Sequence, residues 1–549
     1  MPAKWLPTSF AATNKVKTVP SPTGGLNARD SLANMPETDA LALQNWWCNP
    51  YGLQSRPGYV EWATGMPGYV ETLASWSGDT QKLFAWAGKE GDGWGVYDVS
   101  ARMLLTDPPL VPAVTGLSNG RWQTTQMGNE GGNHLLAVNG IDKGIVYDST
   151  GVHRIEYVAS PPAPTPPLVD YTWYGLDSQK AIGLTVHQGR LWATEEGSSA
   201  GWYMKQVGAI YGEWARFEFG PFFSKGGNVA YMTTWTLDDG NGAEDHLVAV
   251  STEGQAIVYA GTNPDSIDTW KLVGVYFVGE PVLGRRSFFK VGGDMLLLTQ
   301  RGLISMTAQL VSTKVGENVS ALNSEKVQLL ISSLVSSITD QFGWELYFNP
   351  AENLFMINVP SRTVGGTRQL AANLVTTASP WTQFVNVDAA TWETFENAPF
   401  FGDYSGRVCK FWDGPLDGVE LDDEGGAEIL LQVQQAYTYM GAPAVQKQIG
   451  MYRPNFLVTG GLATSNSRIE YDFRVRAVPF PSAVPPPSDD LWDVGRWDKA
   501  TWGGGLTPDR RWIQADGLGN AASLRMSTRT ARELVWVSTD YSFKVGTLL

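Results

Sequence analysis

The 549-residue chain has little cysteine, little histidine and little charge. Its two cysteines, Cys48 and Cys409, stand 361 residues apart with no C-x-x-C or metal-spaced partner. That excludes a disulfide framework and a thiolate metal site, and it points to reduced, buried thiols. Four histidines leave little from which to build a histidine metal centre or a triad. His134 and His246 begin matching apolar runs and read as structural, while His153 and His187 show no partner pattern. Charged residues are only 17% of the chain against 43% hydrophobic and 12% aromatic, which excludes a disordered polymer. No apolar run approaches the roughly 18 residues that cross a bilayer. The longest candidate, Leu329 to Ile338, is broken by serines. The opening MPAKWLPTSFAATNKVK lacks an uninterrupted apolar core, so no secretory signal is expected and synthesis in a cytoplasm is. A net charge of −15 argues against a grip on nucleic acid made by neutralising phosphates. It does not exclude a surface past which nucleic acid slides.

What the chain has in plenty is glycine, 60 residues, and short apolar runs ended by Gly, Asn or Asp, the punctuation of an all-β protein. Lys82-Leu-Phe-Ala-Trp-Ala-Gly88, His134-Leu-Leu-Ala-Val-Asn-Gly140, Arg190-Leu-Trp-Ala-Thr194, the run from His246 and the run from Asp294 share one shape. Each is followed about a dozen residues later by a second short strand: Val96-Tyr97, Val146-Tyr147, Trp202-Tyr203, Val258-Tyr259 and Ile304-Ser305. The starts at Leu83, Leu135, Leu191, Leu247 and Met295 are 52, 56, 56 and 48 residues apart, with weaker candidates at Leu354 and Phe400. Such hairpins cannot bury both faces alone, whereas sheets set radially around an axis can. The expectation is an irregular β-propeller of about six or seven blades over 61–415, followed by a C-terminal β-sandwich-like platform over 416–549. A large sandwich or irregular β assembly is the competing fold.

Around that body the sequence suggests an extended arm at 1–22, punctuated by Pro2, Pro7, Pro20 and Pro22, and an entry segment at 23–60 that is expected to be part of the platform or of an interface. A short helix is expected over Met35 to Trp46, with Pro36 at its first position. Inserted lobes are expected near 206–245 and 309–343. Within the latter, Val327, Leu330, Ile331, Leu334, Val335 and Ile338 fall at helical spacing, capped by Asn323 or Ser324, and predict a helix packed on the β body. Between Lys410 and Lys447 there is no basic residue but seven acidic ones, including Asp417, Asp422, Asp423 and Glu424, which marks a boundary near 415–428.

Catalytic signatures are weak. Gly116-Leu-Ser-Asn-Gly120 fits G-x-S-x-G but lacks the strand, sharp turn and helix that a nucleophile elbow requires. Asp238, Asp239, Asn241, Glu244 and Asp245 form a crude cation loop without a closing bidentate acid. No phosphate loop is present, and Gly91-Asp-Gly-Trp-Gly95 reads as a hairpin turn. A carboxylate pair beside stacking tryptophans would make a glycosidase, but no pair stands out among 55 acids. No catalytic residue, cofactor or metal is therefore assigned.

One set of motifs is more specific: Gly24-Gly25-Leu26-Asn27-Ala28-Arg29-Asp30, then Met35-Pro-Glu-Thr-Asp-Ala40, Leu43-Gln-Asn-Trp46, and Gly52-Leu-Gln-Ser-Arg-Pro-Gly-Tyr59. In these the chain resembles the tail nozzle proteins of short-tailed bacteriophages, also called tail tubular protein B or packaged-DNA stabilisation proteins. The stretches 292–303 and 436–454 add support, and together the matches cover about a fifth of the chain. The resemblance implies a structural virion protein built around a β-propeller, a homo-hexameric tube below a neck adaptor of the tail tubular protein A kind. Such a tube retains packaged double-stranded DNA, passes it during ejection and docks tail fibres or spikes, and it has no membrane span. Gly24, Gly25, Asn27, Arg29 and Asp30 are expected at a subunit or adaptor interface. Asp238, Asp239, Asp422, Asp423 and Glu424 are candidates for an acidic channel lining, where like charge would keep DNA from sticking. The alternatives are a carbohydrate-binding or glycan-cleaving propeller and a monomeric scaffold propeller.

Overall fold

Each of the seven apolar runs becomes the second strand of a small antiparallel sheet. These strands are Gln81–Lys89, Gly132–Val138, Arg190–Glu195, Ala243–Ser251, Asp294–Thr299, Leu354–Val359 and Ala398–Asp403. Every side chain of Asp294–Thr299 and Leu354–Val359 is buried, because a strand in the middle of a blade has a neighbouring blade on each face. That is why these strands read as continuous apolar runs and not as alternation. The computed structural model describes residues 14–546 apart from 104–109, 162–169, 239–242, 282–284, 292, 311–321, 339–340, 362–367, 377, 421–424, 460–463, 475, 477 and 482–505.

The seven sheets are blades of a β-propeller, spanning 69–117, 123–154, 156–218, 229–277, 288–305, 345–385 and 389–411 in turn. Each touches the next, and the seventh returns to the first. Separate apolar clusters fill the gaps between blades. Trp76, Phe84 and Trp86 of the first blade meet Trp122 and Leu135 of the second, and Phe395 and Phe400 of the seventh meet Val70 and Leu83 of the first. The ring is closed by Tyr59–Ala63, which precedes the first blade in sequence and adds itself as the outer strand of the seventh, beside Val408–Phe411. The third blade carries two extra parallel strands, Glu156–Val158 and Thr172–Tyr174, and the fifth has only three strands.

The platform is a two-sheet sandwich made from both ends of the chain, so the propeller is inserted into it. One sheet contains Lys15–Pro20, Trp46–Asn49, Gly52–Ser55, Lys447–Thr459 and Leu534–Val545; the other contains Ala40–Gln44, Gly425–Gln435, Thr464–Tyr471 and Ala522–Thr530. Trp46, Leu431, Tyr452, Leu524, Trp536 and Phe543 pack between them. The second sheet continues into the propeller on both sides. Ala40–Gln44 lies parallel to Trp381–Val385 of the sixth blade, and Leu416–Val419 lies parallel to Tyr59–Ala63 of the seventh.

Several expectations need correction. The helix foreseen over 35–46 is a turn followed by the strand Ala40–Gln44, because pairing with Gly425–Gln435 overrides the helix preference of Ala-Leu-Ala-Leu. The end of the presumed arm is a sheet strand: Lys15–Pro20 pairs along Leu534–Val545, and residues 1–13 lie outside the described residues. In place of the lobe expected near 206–245, the described residues form blade strands, Gly212–Glu218 of the third blade and the inner strand Val229–Asp238 of the fourth, while 239–242 lie outside the described residues. In the connection near 309–343 the helix is present as Gln328–Ser337, burying Ile331 and Val335 on the body. Its first turn follows Val327, and neither Asn323 nor Ser324 caps it.

Arg56, in the Arg-Pro-Gly-Tyr turn, stands where platform, sixth blade and seventh blade meet. Its side chain is fully buried and grips Asp417 through Nη1 to Oδ1 at 2.7 Å and Nη2 to Oδ2 at 2.6 Å. Nε donates to Asn45 Oδ1 at 3.0 Å, and the guanidinium lies over the Phe384 and Phe411 rings. Gly58 is required beside it, since a Cβ there would stand 1.7 Å from the Leu416 carbonyl oxygen. Removing one member of a buried ion pair leaves the other charge uncompensated, which costs about 3–5 kcal/mol. Asp417→Asn is expected to lower stability by about that amount in urea melts, and Arg56→Lys, which cannot reproduce the fork, is expected not to match wild type.

Candidate functional site

The opening motif folds into a single turn. The Gly24 N–H donates to the Thr38 carbonyl at 2.8 Å and the Leu26 N–H to the Trp381 carbonyl at 2.7 Å. Gly25 has φ +81°, and a Cβ on it would meet the Trp381 backbone nitrogen at 2.6 Å, so glycine is required on two counts. Asn27 is buried; its Oδ1 accepts from the N–H groups of Arg29 and Asp30 at 3.0 Å, and its Nδ2 donates to Asp39 Oδ2 at 2.7 Å. Lys326 Nζ completes the buried Asp39 carboxylate at 2.8 Å. Arg29 is exposed, bridging Asp30 and Glu325 at 2.8 Å each, so Arg29 and Asp30 do pair as neighbours. What orders this segment is therefore the sixth blade and the turn before the Gln328–Ser337 helix.

Of the expected acidic channel residues, Asp239, Asp422, Asp423 and Glu424 lie outside the described residues, and Asp238 ends the strand Val229–Asp238. Among the described residues no group of three His, Cys, Asp or Glu could hold a metal ion, and no helix is long and apolar enough to cross a membrane. Cys48 and Cys409 are free and buried, with burial pushing both thiols well up.

The axis of the propeller, a natural place to look for a conduit, is crossed by an arginine that sequence reasoning missed. Arg286 leads into the fifth blade and reaches the innermost strands of four others. Its Nη2 donates to Thr72 Oγ1 at 2.6 Å and to the Trp122 carbonyl at 2.8 Å; its Nη1 donates to Thr391 Oγ1 at 2.7 Å and stands 3.6 Å from Glu345 Oε1. Arg285, at φ +57°, turns the opposite way and donates to the Ile182 carbonyl of the third blade at 3.3 Å. Burial raises the Glu345 carboxyl, against which the Arg286 charge and the Trp392 N–H work. Glu393, on the same seventh-blade strand as Thr391, accepts from Ser75 Oγ at 3.1 Å and the Thr394 N–H at 3.0 Å, yet burial still pushes it up to about 7.

A second feature absent from the sequence reading is a cleft of about 890 Å³ where the second and third blades meet on one face of the ring. Its walls are hairpin turns, 129–131 and 148–150 of the second blade and 189 and 206–211 of the third, which the strand alternation brings to the same end. Asp148 lies at its floor. Burial opposes its ionisation, but hydrogen bonds from Thr150 and Tyr171 and the nearby His153 outweigh that and hold it down at about 2. The donors are the Thr150 N–H at 2.8 Å, Thr150 Oγ1 at 2.6 Å and the Tyr171 hydroxyl at 2.7 Å. His153 stacks on Tyr171 with centroids 4.0 Å apart and rings 4° from parallel. His134 Nε2 donates to Asn129 Oδ1 at 3.1 Å, and burial lowers its pKa.

A glutamate whose pKa is raised by folding binds a proton more tightly in the native state, so its contribution is present at low pH and is lost as the pH rises through its folded pKa. Stability from Glu393 should therefore fall from the ordinary glutamate range up to about pH 7. Glu393→Gln is expected to flatten that decline in thermal melts at constant ionic strength and to be relatively more stable than wild type at pH 8.

No family model and no curated protein matches the sequence. Among solved structures, the chain is similar to the β-propeller domain of Myceliophteria thermophila Cps50 (Swd1), at 10% identity and a TM-score of 0.33, over 64% of this chain and 99% of that one.

Proposed function

We propose that this chain is a structural, non-catalytic subunit of the tail of a short-tailed bacteriophage, six copies of which form the nozzle below the neck adaptor. The observation that carries the reading is where the resembling residues fall. Gly24 to Asp30 tie the platform to the sixth blade, and Arg56 to Tyr59 tie it to the seventh. Those motifs set the angle at which a platform presents its propeller, which is the quantity a ring of identical subunits needs held constant. Because Arg286 occupies the propeller axis, the DNA channel of such a nozzle lies between subunits. Six copies would carry six times −15, or −90, and an acidic wall would repel the DNA sliding past it. In this reading the outer blades are left for fibres or spikes.

The test is the mass and symmetry of the purified chain, alone and with tail stubs lacking it, by light scattering and electron microscopy. Six-fold rings, or monomers that close into rings on the stub, are expected. A monomer that joins no particle under either condition would overturn the reading. Arg29→Ala removes only two exposed ion pairs, each worth at most about 1 kcal/mol. It is expected to melt like wild type while forming fewer rings, measured as the ring fraction on sedimentation.

A further inference from the structure

The cleft between the second and third blades has the chemistry of a ligand site, and we propose that it binds a neutral saccharide. This stands independently of the nozzle assembly. The volume, about 890 Å³, lies in the range of small-molecule sites and exceeds what a packing defect leaves. Among the described residues its lining contains no lysine or arginine, while Glu130, Asp148 and Asp170 all border it. With these three carboxylates at its border, the cleft disfavours phosphates, nucleic acid and acidic sugars.

Two kinds of surface remain, and a sugar ring needs both. Tyr171 and Tyr211 border the cleft with ring centroids 6.0 Å apart, and His153 covers one face of Tyr171 to hold that ring in place. Tyrosine rings held this way offer an apolar face to the C–H side of a pyranose and a polar rim to its hydroxyls. Glu130 and Gln206, exposed at the border, supply acceptors and donors for hydroxyl groups. The floor is rigid, because Asp148 is already satisfied by Thr150 and Tyr171, and Asn129 is locked by the Gly131 N–H and the Gly208 carbonyl. A preformed site of this kind needs no ordering on binding.

The experiment is saturation-transfer NMR on the full chain with a panel of neutral di- and trisaccharides of gluco, galacto, manno and N-acetylglucosamine type, each at millimolar concentration. Transfer to at least one of them is expected, weakened about tenfold by Tyr211→Ala, the scale of one well-packed ring. Val207→Trp, at an exposed position on the rim, is expected to abolish it by filling the opening without touching the core. Circular dichroism and melting temperature show that each variant is folded. No transfer to any member of the panel, or transfer that survives Val207→Trp in folded protein, would overturn the proposal. So would binding of tetramethylammonium with no saccharide bound, which would make the cleft a cation site.

Discussion

The Arg56–Asp417 pair is the interaction on which the rest of this structure depends. A propeller must join its last blade to its first, and here the joining strands come from opposite sides of the ring in sequence, Tyr59–Ala63 entering and Leu416–Val419 leaving. Arg56 and Asp417 sit on these two passages, and their two parallel hydrogen bonds fix position and angle together. The same guanidinium reaches Asn45 in the platform and the Val385 carbonyl of the sixth blade. One buried group thus sets the register among the platform and two blades. The apolar clusters between blades supply most of the stabilisation; the ion pair decides which arrangement they stabilise.

Arg286 plays the complementary part at the centre. Inner strands of a propeller converge, and their backbone and side-chain polar groups face one another across a narrow axis where water is scarce. A single guanidinium with five N–H donors satisfies acceptors from several blades at once. The consequence is an axis crossed by a side chain bonded to several blades, so that the useful surfaces are the faces, the rim and the platform. Both the proposed assembly and the proposed saccharide cleft use those surfaces. Neither requires the ring to open.

Legibility in the sequence followed burial. The second strand of each blade was readable because neighbours on both faces make it uniformly apolar, as in Met295 to Leu298 or Phe355 to Ile357. The innermost strands were less so, since Gln123–Asn129 is mostly polar and half-exposed. The helix over 328–337 showed its period, whereas the Ala-Leu repeat at 40–43 misled because its partner strand lies almost 400 residues away. Lys15–Pro20, in the stretch expected to be an arm, was hidden for the same reason, since it makes sense only beside Leu534–Val545. Of the sites, the glycines of the opening motif and Arg56 were visible as motifs, although what they touch was not. The cleft was invisible, because Asp148, Tyr171 and Tyr211 come from separate connections of modest composition.

If one buried ion pair and a continuous sheet hold the inserted propeller in its platform, the two cannot melt apart. Differential scanning calorimetry of the intact chain, compared with its van't Hoff enthalpy, tests this most directly. A single transition with matching enthalpies is the expected result. Two resolved transitions, one leaving the platform folded after the propeller has melted, would contradict it.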